Sequence, residues 1–177
     1  FGQNDRPGPV AEQWRVFGGS AYASNNIVTG NRVGTDIDSK YLIPNGQVAI
    51  GVGLNARDTR IGGPGTEGNI VGGASGKDWP FGIVVGTIND AASVDSIPHN
   101  IKIEGNWVGI STSSTQIPNG YGIYVRNAAD TVIGGDTATK GNVVANNSLD
   151  GIRLFKELTT DSTVQNNFVG VLPDGNT

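Results

Sequence analysis

The chain has no cysteine and no methionine. Without cysteine there can be no disulfides, no thiolate zinc sites and no cysteine nucleophile. Charge is also scarce: Asp, Glu, Lys and Arg make up 16% of 177 residues and the net charge is −4. Phosphate backbones need a concentrated basic face, so nucleic acid is not an expected partner. No apolar run approaches the roughly 20 residues of a membrane helix, and no Lys/Arg-led leader precedes the first residues. Membrane insertion is therefore not expected. One histidine, His99, stands alone in Ile97-Pro98-His99-Asn100. With no second histidine and no serine elbow, neither a triad nor a histidine metal site has support, and His99 reads as a turn residue.

Glycine, by contrast, is plentiful at 28 residues, and the chain repeats itself. Ile43-Pro44-Asn45-Gly46 returns as Ile117-Pro118-Asn119-Gly120, with 74 residues separating Pro44 from Pro118, and loosely as Leu172-Pro173-Asp174-Gly175. Upstream of each copy stands Gly30-Asn31-Arg32-Val33-Gly34, Gly105-Asn106-Trp107-Val108-Gly109 or Asn166-Asn167-Phe168-Val169-Gly170. Ile61-Gly62-Gly63 recurs as Ile133-Gly134-Gly135, 72 residues on. Repetition on this scale points to stacked structural units.

Within the units, apolar residues alternate with period two. Ile101-Lys102-Ile103, Ile123-Tyr124-Val125 and Ile152-Arg153-Leu154 put two apolar side chains on one face and a polar or aromatic one on the other. Such runs, punctuated by Gly and Asn, predict short half-buried strands. No stretch carries helical caps with i, i+3, i+4 apolar spacing, so no significant helix is expected. The expected architecture is all-β: a parallel β-helix of about five coils, with apolar columns inside and Asn side chains stacked as a hydrogen-bonded ladder. At ~4.8 Å per coil the rod measures roughly 24 Å. Coils are expected to start near Gln47, Gly82, Gly122 and Gly151. Two coil types should alternate, one with Asn-x-Val-Gly and a long turn, the other with Ile-Gly-Gly and Gly-Asn-x-Val.

These motifs resemble the right-handed parallel β-helix proteins of the pectate-lyase-like superfamily, and more narrowly bacterial surface or secreted proteins and phage tailspikes with tandem Gly-Asn-x-Ile-Gly-Thr and Ile-Gly-Gly coils. Gly30-Asn31-Arg32-Val33-Gly34-Thr35-Asp36 is the best match, and Gly141 to Asn147 followed by Asp150-Gly151-Ile152 is the next. The resemblance spans about residues 25–177, the expected β-helix domain, and implies an extracellular, cell-surface or virion location. Residues 1–24, with Pro7, Pro9, Trp14 and Phe17, are expected to cap the first coil or lead in from elsewhere. Residues 86–98 are expected to form an external loop. The chain opens at Phe1 rather than Met and stops just after the third Pro-Asp-Gly. It reads as an interior piece of something longer, whose last coil is open to further coils or to self-association.

Carboxylates are the first candidates for chemistry, because the superfamily includes lyases, hydrolases and epimerases that use them on polysaccharides. Asp130 and Asp150, with Arg153 nearby, form one candidate set. Asp58 and Asp130, however, occupy matching places before Thr59-Arg60-Ile61 and Thr131-Val132-Ile133, and repeated Asp at equivalent turns reads as turn chemistry. Asp36 and Asp38 share one face of an extended segment and are candidates for calcium, an ion that wants six to eight oxygens. Asn146-Asn147-Ser148 matches a glycosylation sequon.

The outward position of Gly-Asn-x-Val-Gly holds Arg32, Trp107 and Phe168. Trp107, Tyr124, Arg126 and Phe168 are the candidate contacts for a polysaccharide or surface glycan; the competing reading packs them under loops or against a neighbour. On the first reading Trp107→Ala weakens glycan binding and spares stability; on the second, stability falls. The function expected is a structural or adhesive glycan-binding module without a cofactor. The alternative is a carbohydrate-active enzyme acting through Asp residues.

Overall fold

In the computed structural model residues 22–78, 80–86 and 94–174 are described. The expected lead-in segment up to residue 21, Trp79, residues 87–93 of the expected loop and Gly175 lie outside them.

The alternating segments form fourteen strands and no α-helix among the described residues; three short 3-10 turns, Gly65–Glu67, Val94–Ser96 and Ala138–Lys140, are the only helical geometry there. The strands fall into three sheets, and every strand-to-strand pairing is parallel. The first sheet contains β1 (Ile27–Val28), β4 (Arg57–Gly62), β7 (His99–Glu104), β10 (Val132–Gly134) and β13 (Thr163–Gln165). The second contains β2 (Arg32–Val33), β5 (Ile70–Val71), β8 (Trp107–Val108), β11 (Val143–Val144) and β14 (Phe168–Val169). The third contains β3 (Val48–Val52), β6 (Phe81–Gly86), β9 (Tyr121–Arg126) and β12 (Ile152–Phe155). The chain thus visits the three sheets in strict rotation, and each strand pairs with the one three places on.

That register stacks like on like. Val28, Ile61, Ile103, Ile133 and Val164 form one column, and Val33, Val71, Val108, Val144 and Val169 another. Ile50, Ile83, Ile123 and Ile152 form a third. Side chains from all three sheets meet in a single core that includes Ile61, Val71, Ile83, Val108, Ile123 and Ile133. Burying these branched side chains drives the fold, at ~25 cal/mol per Å² of apolar surface. Two of the columns end in the open: Val164 and Val169 are 45% and 46% exposed.

Polar columns run beside the apolar ones. Asn31, Asn69, Asn106, Asn142 and Asn167 precede the five strands of the second sheet. Each of the first four donates both its backbone N–H and its Nδ2 to the Oδ1 of the next, at 2.9–3.1 Å. The second Nδ2 proton of Asn69, Asn106, Asn142 and Asn167 goes to a backbone carbonyl, that of Val28, Ile61, Ile103 or Ile133. A buried amide has four hydrogen-bonding opportunities, and stacking at the strand spacing satisfies them.

The successive rungs lie 38, 37, 36 and 25 residues apart. The 74-residue repeat is therefore two passes through the sheets. The two expected coil types do alternate. Every pass carries Asn-x-Val, but the connection leading into it is long, with a 3-10 turn, after β4 and β10 and short after β1, β7 and β13. The connection leading out of it alternates in the opposite phase. After Val33 and Val108 it is long, closed by the antiparallel bridges Thr35–Leu42 and Ile110–Gln116; after Val71 and Val144 it is short.

Turns at the head of the first sheet are equally regular. Asn25, Asp58, Asn100, Asp130 and Asp161 lie in register and all adopt positive φ, between 51° and 57°. Asn and Asp tolerate this left-handed region best among residues with a side chain.

Candidate functional site

The third sheet carries a cluster of aromatic and cationic side chains on its outer face. In β9, Ile123 and Val125 point into the core, leaving Tyr124 and Arg126 outward. Strict alternation would turn Tyr121 inward. Instead Gly122 faces the interior, where a Cβ would press on Val144 and the Asn147 amide. Two successive residues point inward, the alternation slips, and Tyr121 joins Tyr124 outside. Gly82 does the same for Phe81.

The four rings meet. Phe81 lies 5.2 Å from Tyr121 and 4.6 Å from Tyr124, and Tyr121 and Tyr124 are 5.3 Å apart, edge to face. Phe155 on the neighbouring strand lies 6.2 Å from Tyr124. These separations are those of favourable aromatic pairs. The Arg153 guanidinium stands over three rings, 4.8 Å from Phe155 and 5.8 Å from both Tyr121 and Tyr124. Arg126 and Lys156 approach Phe155 at 5.8 and 5.4 Å. All of these lie within cation–π range. Lys156 holds φ at +79°, a conformation unusual for a residue with a side chain.

Asp150 accepts from Arg153 at 3.1 Å. Arg126 is 7% exposed, so Arg153, paired with Asp150, and Lys156 are the cations at the open side of this cluster among the described residues. Tyr124 is expected to be exposed, but only 6% of it is, because Phe81, Tyr121, Phe155 and Arg153 cover it. Burial pushes its hydroxyl above the ordinary 10.0, against the opposing pull of Arg153 and Arg126. It therefore stays protonated at neutral pH, and the accessible rings are Tyr121 and Phe155.

Trp107 and Phe168 lie elsewhere. They belong to the second sheet, in an outward column that reads Arg32, Ile70, Trp107, Val143 and Phe168. Both pack half-buried against a satellite core of Ile110, Val143 and Ala145, together with Leu172. The four candidate glycan contacts are thus divided: Tyr124 and Arg126 on one sheet, Trp107 and Phe168 on another.

The carboxylate candidates separate in the same way. Asp130 sits at the head of the first sheet with its left-handed backbone, and its carboxylate lies 3.6 Å from His99 Nδ1. Asp150 and Arg153 belong to the third-sheet cluster. Asp58 accepts a hydrogen bond from Asn100 at 2.5 Å in the same column as Asp130. Nearby, Arg60 and Lys102 border a polar depression of about 270 Å³.

Asp36 is occupied locally. Its Oδ1 accepts from the Tyr41 and Lys40 N–H groups at 2.9 and 2.6 Å and from Thr35 Oγ1 at 3.3 Å. The Tyr41 bond above all holds its carboxyl below the ordinary 3.8. Asp38 pairs with Lys40 at 3.3 Å and is 61% exposed. Among the described residues no three His, Cys, Asp or Glu side chains gather as metal ligands. In the sequon, Asn146 is exposed, while Asn147 belongs to a second Asn stack beneath it.

Compared with protein-family models, curated proteins and solved structures, the chain matches none. Among the described residues, no helix is long and apolar enough to cross a membrane.

Tyr121 and Phe155 were not singled out from the sequence. Phe155 follows Leu154 by plain alternation and was legible in principle. Tyr121 was concealed by the inward-facing Gly122.

Proposed function

We propose that this chain is a right-handed parallel β-helix of the pectate-lyase-like kind, serving as a rigid extracellular, cell-surface or virion-surface module that binds an acidic glycan on the outer face of its third sheet. The observation that carries the reading is the Arg153 guanidinium held over the Tyr121, Tyr124 and Phe155 rings. Sugar rings present apolar C–H faces that stack on aromatics, and a carboxylated or sulfated unit pairs with Arg or Lys. The rotation through three parallel sheets supports the solenoid; the Arg153 guanidinium beside the accessible Tyr121 and Phe155 rings supports the acidic ligand. The strand spacing of about 4.8 Å makes the cluster part of a stiff surface, well suited to a scaffold.

Titration calorimetry with uronate-containing and sulfated oligosaccharides, against neutral ones of equal length, tests this reading. Binding should favour the acidic set, weaken as salt rises, and fall about tenfold or more in Arg153→Ala, a loss of roughly 1.4 kcal/mol. Equal affinity for neutral sugars, or indifference to Arg153→Ala, refutes it. Turnover of the same oligosaccharides, abolished in Asp150→Asn, would instead favour the carbohydrate-active enzyme.

A further inference from the structure

The two identical Pro-Asn-Gly phrases sit in opposite chemical states. Asn119 is 2% exposed, and its amide is fully engaged. Its Nδ2 donates to the Asn147 Oδ1 at 3.0 Å and to the Val71 carbonyl at 3.2 Å; its Oδ1 accepts from the Ala74 N–H at 3.1 Å. The following Gly120 N–H donates to the Ala74 carbonyl at 3.1 Å.

Asn45 stands two passes earlier in the same stack, with Ala74 between them, and is bridged in parallel to Ala74. Ala74 interrupts the stack, because a methyl group cannot accept. The Asn45 Nδ2 consequently has no hydrogen-bond partner. Among the described residues the Gly46 N–H makes no backbone hydrogen bond either. A Cβ added at Gly46 would meet nothing within 4 Å, so the backbone there has room to turn.

We infer that Asn45-Gly46 is a site of spontaneous deamidation, and that Asn119-Gly120 is protected from it by the fold. The Gly46 nitrogen, giving up its proton to solvent, attacks Asn45 Cγ. The new N–Cγ bond forms as the Cγ–Nδ2 bond breaks, and the amide nitrogen leaves as ammonia after taking up a proton. Water then opens the cyclic imide at either carbonyl, leaving aspartate or isoaspartate at position 45. No electrons are exchanged, and water is the only co-reactant. At Asn119 the attacking nitrogen and the departing amide are both tied down, so reaction there requires three hydrogen bonds to open. Either product places a negative charge in the turn leading to β3, and isoaspartate also adds one backbone methylene there.

Incubation of the folded chain at mildly alkaline pH and physiological temperature, followed by digestion and mass spectrometry, tests the inference. Asn45 should convert on the order of a hundredfold faster than Asn119, the factor implied by three hydrogen bonds of ordinary net strength. In denaturant the two phrases should react at similar rates. Gly46→Ala should slow conversion at Asn45. Ala74→Asn should slow it too, by offering an Oδ1 to the free amide. Comparable rates at both phrases in the folded chain, or an Asn45 that converts in denaturant but not when folded, overturns the proposal. If Ala74→Asn fails to fold, the folded-against-denatured ratio and Gly46→Ala still decide.

Discussion

Replacing Asn106 by Ala removes the central rung of the five-Asn stack, and the structure allows the cost to be worked out. Asn106 is completely buried. Its Oδ1 is the acceptor for both the Asn69 backbone N–H, at 3.1 Å, and the Asn69 Nδ2, at 2.9 Å. Its own Nδ2 serves the Asn142 Oδ1, the Ile61 carbonyl and the Glu104 carbonyl. Its backbone N–H survives the substitution and keeps its bond to Asn142. The variant therefore strands two buried donors on Asn69, each costing about 1–3 kcal/mol, and lost bonds to carbonyls that keep other partners add about 1 kcal/mol. A loss of about 3–7 kcal/mol follows, which for a chain of this size lowers Tm by roughly 10–20 °C. Asn31→Ala supplies the contrast. Asn31 is exposed at the end of the stack, and its backbone N–H continues to serve Asn69. Its loss should cost about 1 kcal/mol. Denaturant unfolding of both variants measures the difference. Equal losses at the two positions, or a loss below about 1 kcal/mol at Asn106, refute the idea that the amide stack is a main support of the fold.

Three further outcomes follow from the same structure. Trp107→Ala should lower stability by about 2 kcal/mol, less than the roughly 3–5 of a fully buried ring, and leave oligosaccharide binding unchanged; lost binding with intact stability would return Trp107 to the ligand site. Gly62→Ala should cost about 3 kcal/mol or more by thermal unfolding, because Gly62 holds φ at +81° and a Cβ would collide with the Glu104 carbonyl and the Asn106 amide; a neutral result would show that the connection after β4 can relax. The Asp136–Lys140 pair, 2.8 Å apart, holds its carboxyl below 3.8 and its ammonium above 10.5. Its contribution is complete above pH 3.8 and below 10.5, fading as pH falls through the lowered carboxyl value or rises through the raised ammonium value. Proton NMR titration of Lys140→Ala should find the Asp136 carboxyl back near its ordinary value, and no change would assign the shift to its own backbone.

Much of the fold could be read along the chain because the fold is local in kind. Period-two alternation in Ile101-Lys102-Ile103 specifies a strand with one apolar and one polar face, and the structure buries both isoleucines completely. Asp58 and Asp130 were legible as turn residues because Asp tolerates the backbone conformations that turns need, and both hold the left-handed region. The site was far less legible. Tyr124 could be placed outward, yet its covering rings come from Phe81 and Phe155, 43 and 31 residues away along the chain. Trp107 looked equivalent to Tyr124 as an outward aromatic. It differs only because Ile110, Val143 and Ala145 assemble beside it.

What the amino-acid sequence determined by itself was the repeated unit: where strands begin, which side chains alternate, which Asn and Gly residues turn the chain. Each of these rests on interactions within a few residues. Only the tertiary structure decided the register, which brings residues some 37 positions apart into direct contact. Register made the two Pro-Asn-Gly phrases unlike. Asn119 lies beneath an Ala74 N–H and above Asn147 and is held on every side, whereas Asn45 faces the methyl group of Ala74. A hydrogen bond depends on what lies across the sheet spacing, and neighbours across that spacing are strangers in sequence.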